Sequence, residues 1–178
     1  ENVATDWKQL LNQRELSDVC FIADDQVIFA HLLVLYTRCP KLYDIAVATG
    51  SKQLEITGIS YRLLHDILNY IYCNELPSMN HLDEILRLIM WAKRFELISL
   101  LDKLETVLYN MLNEKNLAAV LHTAEKYEMV QLEVACTTYL LSLPSKREFP
   151  FSILSTRTLR HIACHLFPTA TIKHFEVE

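Results

Sequence analysis

Glycine is nearly missing from this chain. Only Gly50 and Gly58 occur among 178 residues, where average usage near 7% gives roughly a dozen. Loops that bring several backbone N–H groups onto a phosphate need glycines close together, so neither a dinucleotide-binding turn nor a P-loop can be built here. The G-x-S-x-G turn that exposes a serine nucleophile is absent for the same reason. Basic residues are short too: 17 Lys and Arg stand against 22 Asp and Glu, a net charge of −5. That balance removes the net attraction behind non-specific nucleic-acid binding and leaves only a local basic patch as a route to it. The longest uncharged apolar run, Val27 to Tyr36, contains His31 and is half a membrane span, so no transmembrane helix is expected, and no signal peptide precedes it. Cys20, Cys39, Cys73, Cys136 and Cys164 are odd in number, widely spaced and set among apolar neighbours. They read as buried reduced thiols of a cytoplasmic or nuclear protein. A chain opening on Glu1 without methionine reads as a domain cut from something longer.

With 51% hydrophobic and 22% charged residues the chain can bury a core. Trp7, Leu10 and Leu11 have the i, i+3, i+4 spacing of a short amphipathic helix. Asp18 to Ala23 and Gln26 to Ala30 are β-prone runs joined by the turn Asp24-Asp25, which predicts a hairpin. The pattern turns helical at His31, is interrupted at Pro40, and gives way to a third short strand around Leu54-Glu55-Ile56-Thr57, between the two glycines. Beyond Ser60, a plausible N-cap, everything reads as helix in series. Leu64, Ile67, Leu68, Ile71 and Tyr72 mark one buried face that Pro77 should end. Asn80 and Asp83 resemble a capping box opening a helix to about Phe95. Further helices carry Leu97 to Met111, Leu117 to Ala124, Leu132 to Leu140 and Leu159 to Leu166.

A repeat runs through this helical half. Ala92, Phe95, Glu96, Leu97, Leu100 and Leu108 correspond, 32 residues on, to Ala124, Tyr127, Glu128, Met129, Leu132 and Leu140, the length of a helical hairpin unit. Stacked hairpins suit partner binding better than small-molecule chemistry. The alternative is coincidence between two Leu-rich amphipathic hairpins.

Candidates for chemistry are few. Cys39, between Arg38 and Pro40, could have its thiolate favoured by the guanidinium, although a small buried residue at a helix break is the plainer use. His161 and His165 lie four apart with Cys164 between, a partial zinc-ligand spacing that lacks a fourth ligand. No C-x-x-C or H-E-x-x-H accompanies it. Asp24-Asp25 and Asp83-Glu84 fit turn chemistry and a helix start, not acid–base catalysis. No enzyme, metal or cofactor is expected. Trp7, on a short terminal helix, must cover either its own core or another subunit.

The order of these segments resembles the BTB/POZ family. The resemblance rests on Leu16-Ser17-Asp18-Val19, on Phe29-Ala30-His31, on Val34-Leu35-x-x-Arg38-Cys39-Pro40, and on Ile71-Tyr72-Cys73-Asn74 and Ala92-Lys93-Arg94-Phe95. It implies a mostly helical α+β fold, a small sheet capped by helical hairpins, over 1–113. A 3-box or partial BACK-like helical extension follows over 114–178. It also implies homodimerisation, with Trp7, Leu10, Leu11 and Leu35 at the interface. An adaptor role is implied as well, linking a cullin-RING ubiquitin ligase to substrates held by other domains; the cullin-facing residues map to Val47, Leu76, Leu117, Val120 and Leu121. Leu32 stands where the family has lysine, and Asn74 where its turn has glycine. Ile45-Ala46-Val47-Ala48-Thr49 lacks the glutamate that many cullin adaptors carry before the third strand. The segment Val34 to Pro40 also resembles the BTB domain of a nuclear scaffold for structure-specific endonucleases, used for dimerisation. On that alternative the chain is a self-association domain that binds no cullin.

Overall fold

With so little glycine, the chain must place other residues wherever its backbone turns left-handed. Among the described residues Asn12, Asp24, Asp25, Asn74, Glu96 and Glu128 all have positive φ, alongside Gly50 and Gly58. The computed structural model describes residues 3–79, 81–144 and 149–166, with the side chains of 7–79, 81–144, 149–152, 154–156, 158–160, 162 and 163. The chain divides into two compact units, 1–103 and 104–178.

In the first unit, Asp24 and Asp25 at φ 49° and 58° make the tight turn that a two-residue hairpin needs. Their hairpin joins β1 (Val19–Ala23) to antiparallel β2 (Gln26–Ala30), with Phe21 opposite Ile28. The third strand, β3 (Gln53–Glu55), pairs parallel to β1 with Leu54 opposite Phe21, giving the order β2-β1-β3. Phe21, Ile28 and Leu54 are buried and form the sheet's core face. Helix α1 (Val3–Leu10) packs on α4 (Tyr61–Cys73), which also contacts α2 (Leu32–Arg38), β1 and α5 (Leu82–Arg94). Pro40 opens α3 (Pro40–Ala48) at a first-turn position, where a missing N–H costs nothing, so it restarts the helix that the preceding residues end.

Two helix ends differ from expectation. Helix α4 stops at Cys73, three residues before the segment reaches Leu76 and Pro77, because Asn74 turns left-handed at φ 60° and its N–H bonds Tyr70 O at 2.7 Å. Lys103 Nζ then donates to the freed Asn74 carbonyl at 2.9 Å. Asn74 therefore takes the left-handed conformation that glycine most often supplies at a helix end, as asparagine can. At the start of α5 the N-cap is His81, which supplies no side-chain bond; Asn80 lies outside the described residues. Asp83 and Glu84 instead complement the dipole at the helix's first turn. Ser60 caps α4 as expected, accepting the Leu63 N–H at 3.3 Å.

The 32-residue repeat is a repeated helix corner. After α5, the Leu97 N–H bonds Ala92 O at 2.9 Å and the Glu96 N–H bonds Lys93 O at 3.1 Å. After α7 (Leu117–Lys126), the Met129 N–H bonds Ala124 O at 2.9 Å and the Glu128 N–H bonds Glu125 O at 3.3 Å. Both pairs are Schellman closures with a glutamate in the left-handed position. Two helices follow these corners, α6 (Ile98–Met111) and α8 (Val130–Ser142). A side chain in that conformation costs roughly 1–2 kcal/mol, part of which is offset by the greater freedom glycine has when unfolded. Glu96→Gly is therefore expected to raise stability by about 0.5–1 kcal/mol. The exposed ion pair it removes, Lys41 Nζ to Glu96 Oε1 at 3.1 Å, subtracts little. Urea denaturation checks this, and a lower midpoint in the variant contradicts it.

In the second unit, α7 packs on α8, and α8 on α9 (Thr156–Leu166), which follows a 3-10 turn over Phe151–Ile153. The start of α8 is held by Glu105, whose Oε1 accepts the Leu132 N–H at 2.7 Å. Helix α9 is tied by two carboxylates. Glu125 accepts from the Ser155 N–H and hydroxyl, the latter at 2.8 Å, and buried Glu133 accepts from the Thr158 hydroxyl at 2.9 Å. The family-like boundary at 113/114 falls in the turn between α6 and α7, whereas the two compact units divide inside α6.

Candidate interaction surface

The junction between β2 and α2 sets the surface that the first unit presents. His31, at the N-cap of α2, offers no side-chain cap. Asp18 supplies it from β1's edge, its Oδ1 accepting the Leu32 N–H at 2.7 Å. The Tyr72 hydroxyl accepts the His31 N–H at 2.9 Å and lies 2.8 Å from His31 Nδ1. Asp18, His31 and Tyr72 all belong to the sequence segments that carry the resemblance, and this junction is where they meet.

So fixed, α2 turns Val34 and Leu35 into the core and Leu33 and Tyr36 outward. Leu33 is 68% exposed and Tyr36 60%, and the Tyr36 ring meets Tyr43 edge-on at 5.1 Å. Trp7 on α1 is 39% exposed and Leu10 half-buried. Two expected interface residues do not fit. Leu35 has no exposed surface and Leu11 is buried, so neither can touch a partner from this fold. The 3.6-residue period puts Leu33 and Tyr36 on one stripe of α2 and Val34 and Leu35 on the other side. Leu33 and Tyr36 were missed because Leu35 sat inside the recognisable motif, while the informative signal was large apolar residues at i and i+3 beside it.

The expected cullin-facing residues divide in the same way. Val47, near the end of α3, is 50% exposed, and Leu76 is half-buried on the segment after α4. Leu117, Val120 and Leu121 have no exposed surface at all, because they are the face with which α7 builds the interior of the second unit. They hold the helical pair together and offer nothing to a partner.

No catalytic arrangement emerges among the described residues. Burial pushes the Cys39 thiol up to about 11, against any thiolate role, and its sulfur donates to Phe95 O at 3.6 Å. Cys20, Cys73 and Cys136 are likewise buried and free. Among the described residues no group of three or more His, Cys, Asp or Glu could hold a metal ion. The side chains of His161, Cys164 and His165, on α9, lie outside the described residues. No helix among the described residues is long and apolar enough to cross a membrane.

A family model for the BTB/POZ domain matches residues 7–112. The chain belongs to the BTB/POZ family. A BTB domain is a protein-interaction module, which agrees with a surface of exposed apolar side chains on a hydrogen-bonded frame and with no catalytic family being indicated. Protein maternal effect lethal 26 of Caenorhabditis elegans is 24% identical, the match covering 81% of this chain and 38% of that protein. Human Kelch-like protein 22 is 25% identical over 92% of this chain and 28% of its own length. Mouse structure-specific endonuclease subunit SLX4 is 34% identical over 59% of this chain and 7% of its own. The BTB chain thus spans between 28% and 38% of the first two relatives. The solved BTB domain of human gigaxonin aligns at 20% identity and a TM-score of 0.44, covering 51% of this chain and 76% of that one.

Proposed function

We propose that this BTB chain homodimerises through the outward faces of α1 and α2 and serves as an adaptor that links a cullin-RING ubiquitin ligase to substrates bound by other domains. The observation that carries the dimer is the pair Leu33 and Tyr36, large apolar side chains left in solvent on a helix whose opposite face is core. Trp7 extends the same chemistry onto α1. Covering such side chains in a second copy releases water at about 25 cal/mol per Å² of apolar area. In light scattering the parent is expected at twice the 20.7 kDa chain mass. A Leu33→Asp, Tyr36→Asp variant is expected at the single-chain mass, since both sites are exposed and tolerate charge in the monomer. A monomeric parent overturns the interface.

Cullin binding is supported by Val47, exposed beside the segment where the resemblance places the contact, and by similarity to a Kelch-like protein over most of the chain. Purified cullin N-terminal domain is expected to bind the parent at micromolar concentration and Val47→Asp more weakly, with both chains melting alike. A second reading has its own observations: the segment Ile45 to Thr49 carries no glutamate, and the endonuclease subunit is the relative with the higher identity of the three. On that reading the domain dimerises inside a nuclear scaffold, and the parent shows no cullin binding while remaining dimeric.

A further inference from the structure

Away from α1 and α2, the first unit holds a cleft whose lining includes none of the residues assigned to the dimer or to the cullin, although Pro77 at its edge directly follows Leu76. The first turns of α4, residues 77–79 and the middle of α5 enclose a cavity of about 140 Å³, the size that holds a benzene-sized group. Leu63, Pro77, Met79 and Leu88 provide its apolar lining. Four charged residues line it as well, and they are not equivalent. Arg62 Nη1 and Glu84 Oε1 stand 3.9 Å apart and offset each other. Asp66 on α4 and Arg87 on α5 have no hydrogen bond or ion pair among the described residues, although both border the same cavity. Asp66 is half-buried, and loss of solvent holds its carboxyl above the usual range despite Arg62 and His65 nearby. A cation delivered to it would favour the charged carboxylate and so offset that desolvation.

We infer that this cleft binds a linear peptide segment in which an apolar side chain sits between a basic and an acidic one. The apolar side chain fills the cavity against Leu63, Met79 and Leu88, the basic group pairs with Asp66, and the acidic group pairs with Arg87. An unpaired charge of each sign on two packed helices, with an apolar lining between, is complementary to such a segment and not to a simple anion, which Asp66 and Glu84 would repel. The lining includes none of Leu33, Tyr36 and Val47, and the peptide titration is run without a cullin, so its outcome is read independently of that binding.

The test is an amide NMR titration of the whole chain with N-acetylated, C-amidated Lys-Leu-Glu. Saturable shifts are expected at Leu63, Met79 and Leu88. Arg87→Glu, at an exposed site, and the near-isosteric Asp66→Asn are each expected to weaken binding about three-fold, the worth of one part-exposed ion pair. Circular dichroism confirms that both variants keep the parent's fold. Free leucine, which carries both charges on its backbone, is expected to produce no saturable shifts in the cleft. Lack of saturation by the peptide at low millimolar concentration, binding by either folded variant as tight as the parent's, or equal binding of free leucine each overturns the inference.

Discussion

Leu121→Asp is expected to unfold the helices of the second unit, and with them any binding that depends on that unit. Leu121 has no exposed surface and lies on the inner face of α7 with Leu117 and Val120. Removing such a leucine costs about 2–5 kcal/mol in lost transfer energy and cavity. The carboxylate adds a penalty of its own unless it takes up a proton. A total of at least about 3–5 kcal/mol is a large share of the 5–15 kcal/mol that holds a typical domain together. Thermal unfolding followed by far-ultraviolet circular dichroism should show the loss directly; a variant that melts with the parent would mean that Leu121 is not packed as described. The consequence for function is practical. A Leu117 or Leu121 variant that fails to bind a cullin has lost its fold, so it says nothing about contact, whereas Val47→Asp tests the contact with the fold intact.

Tyr72→Phe is expected to destabilise the first unit by about 1–3 kcal/mol, the cost of leaving a buried polar group without its partner. The lost hydroxyl accepts the His31 N–H and pairs with His31 Nδ1. Phenylalanine keeps the packing but supplies neither bond, and His31 Nε2 is already buried without a partner among the described residues. Urea unfolding should shift to a lower midpoint with an unchanged slope; an unchanged midpoint contradicts the junction's role. The same tyrosine contributes to alkaline sensitivity. Burial raises the Tyr72 phenol above its ordinary value of 10, and raises the Cys39 and Cys136 thiols from 9 to about 11 and about 12. Unfolded, these groups lose protons near their ordinary values while the folded chain keeps them. The unfolded state then binds fewer protons, so stability is complete below pH 9 and falls as pH rises beyond it. In Tyr72→Phe the fall above pH 10 should be shallower.

Much of the fold was legible because its signals are local. Strand alternation around Asp24-Asp25, the break at Pro40 and the Ser60 cap act over a few residues, and each is where the structure has it. The 32-residue repeat was legible as identities and became a mechanism only with the hydrogen bonds, since nothing in a glutamate announces positive φ. The end of α4 was misplaced at Pro77 because proline is the louder stop signal, whereas Asn74 had already closed the helix.

Exposure was not legible. The sequence placed its candidate partner residues on α1, α2, the end of α3 and α7, and so assigned Leu11, Leu35, Leu117, Val120 and Leu121 to partners when they are interior. An apolar residue on an amphipathic helix has the same chemistry whether it faces core or solvent. Only packing distinguishes them, because the solvent side is defined by which neighbouring helix covers the other. The sequence by itself determined the family, the order of elements and, through two glycines and few basic residues, the exclusion of phosphate loops and of a net attraction for nucleic acid. Tertiary structure alone decided that Leu33, Tyr36 and Val47 stay in solvent, and that Asp66 and Arg87, 21 positions apart in the chain, border one cavity. Such pairings depend on how α4 packs on α5, and no local signal encodes a contact between residues so far apart.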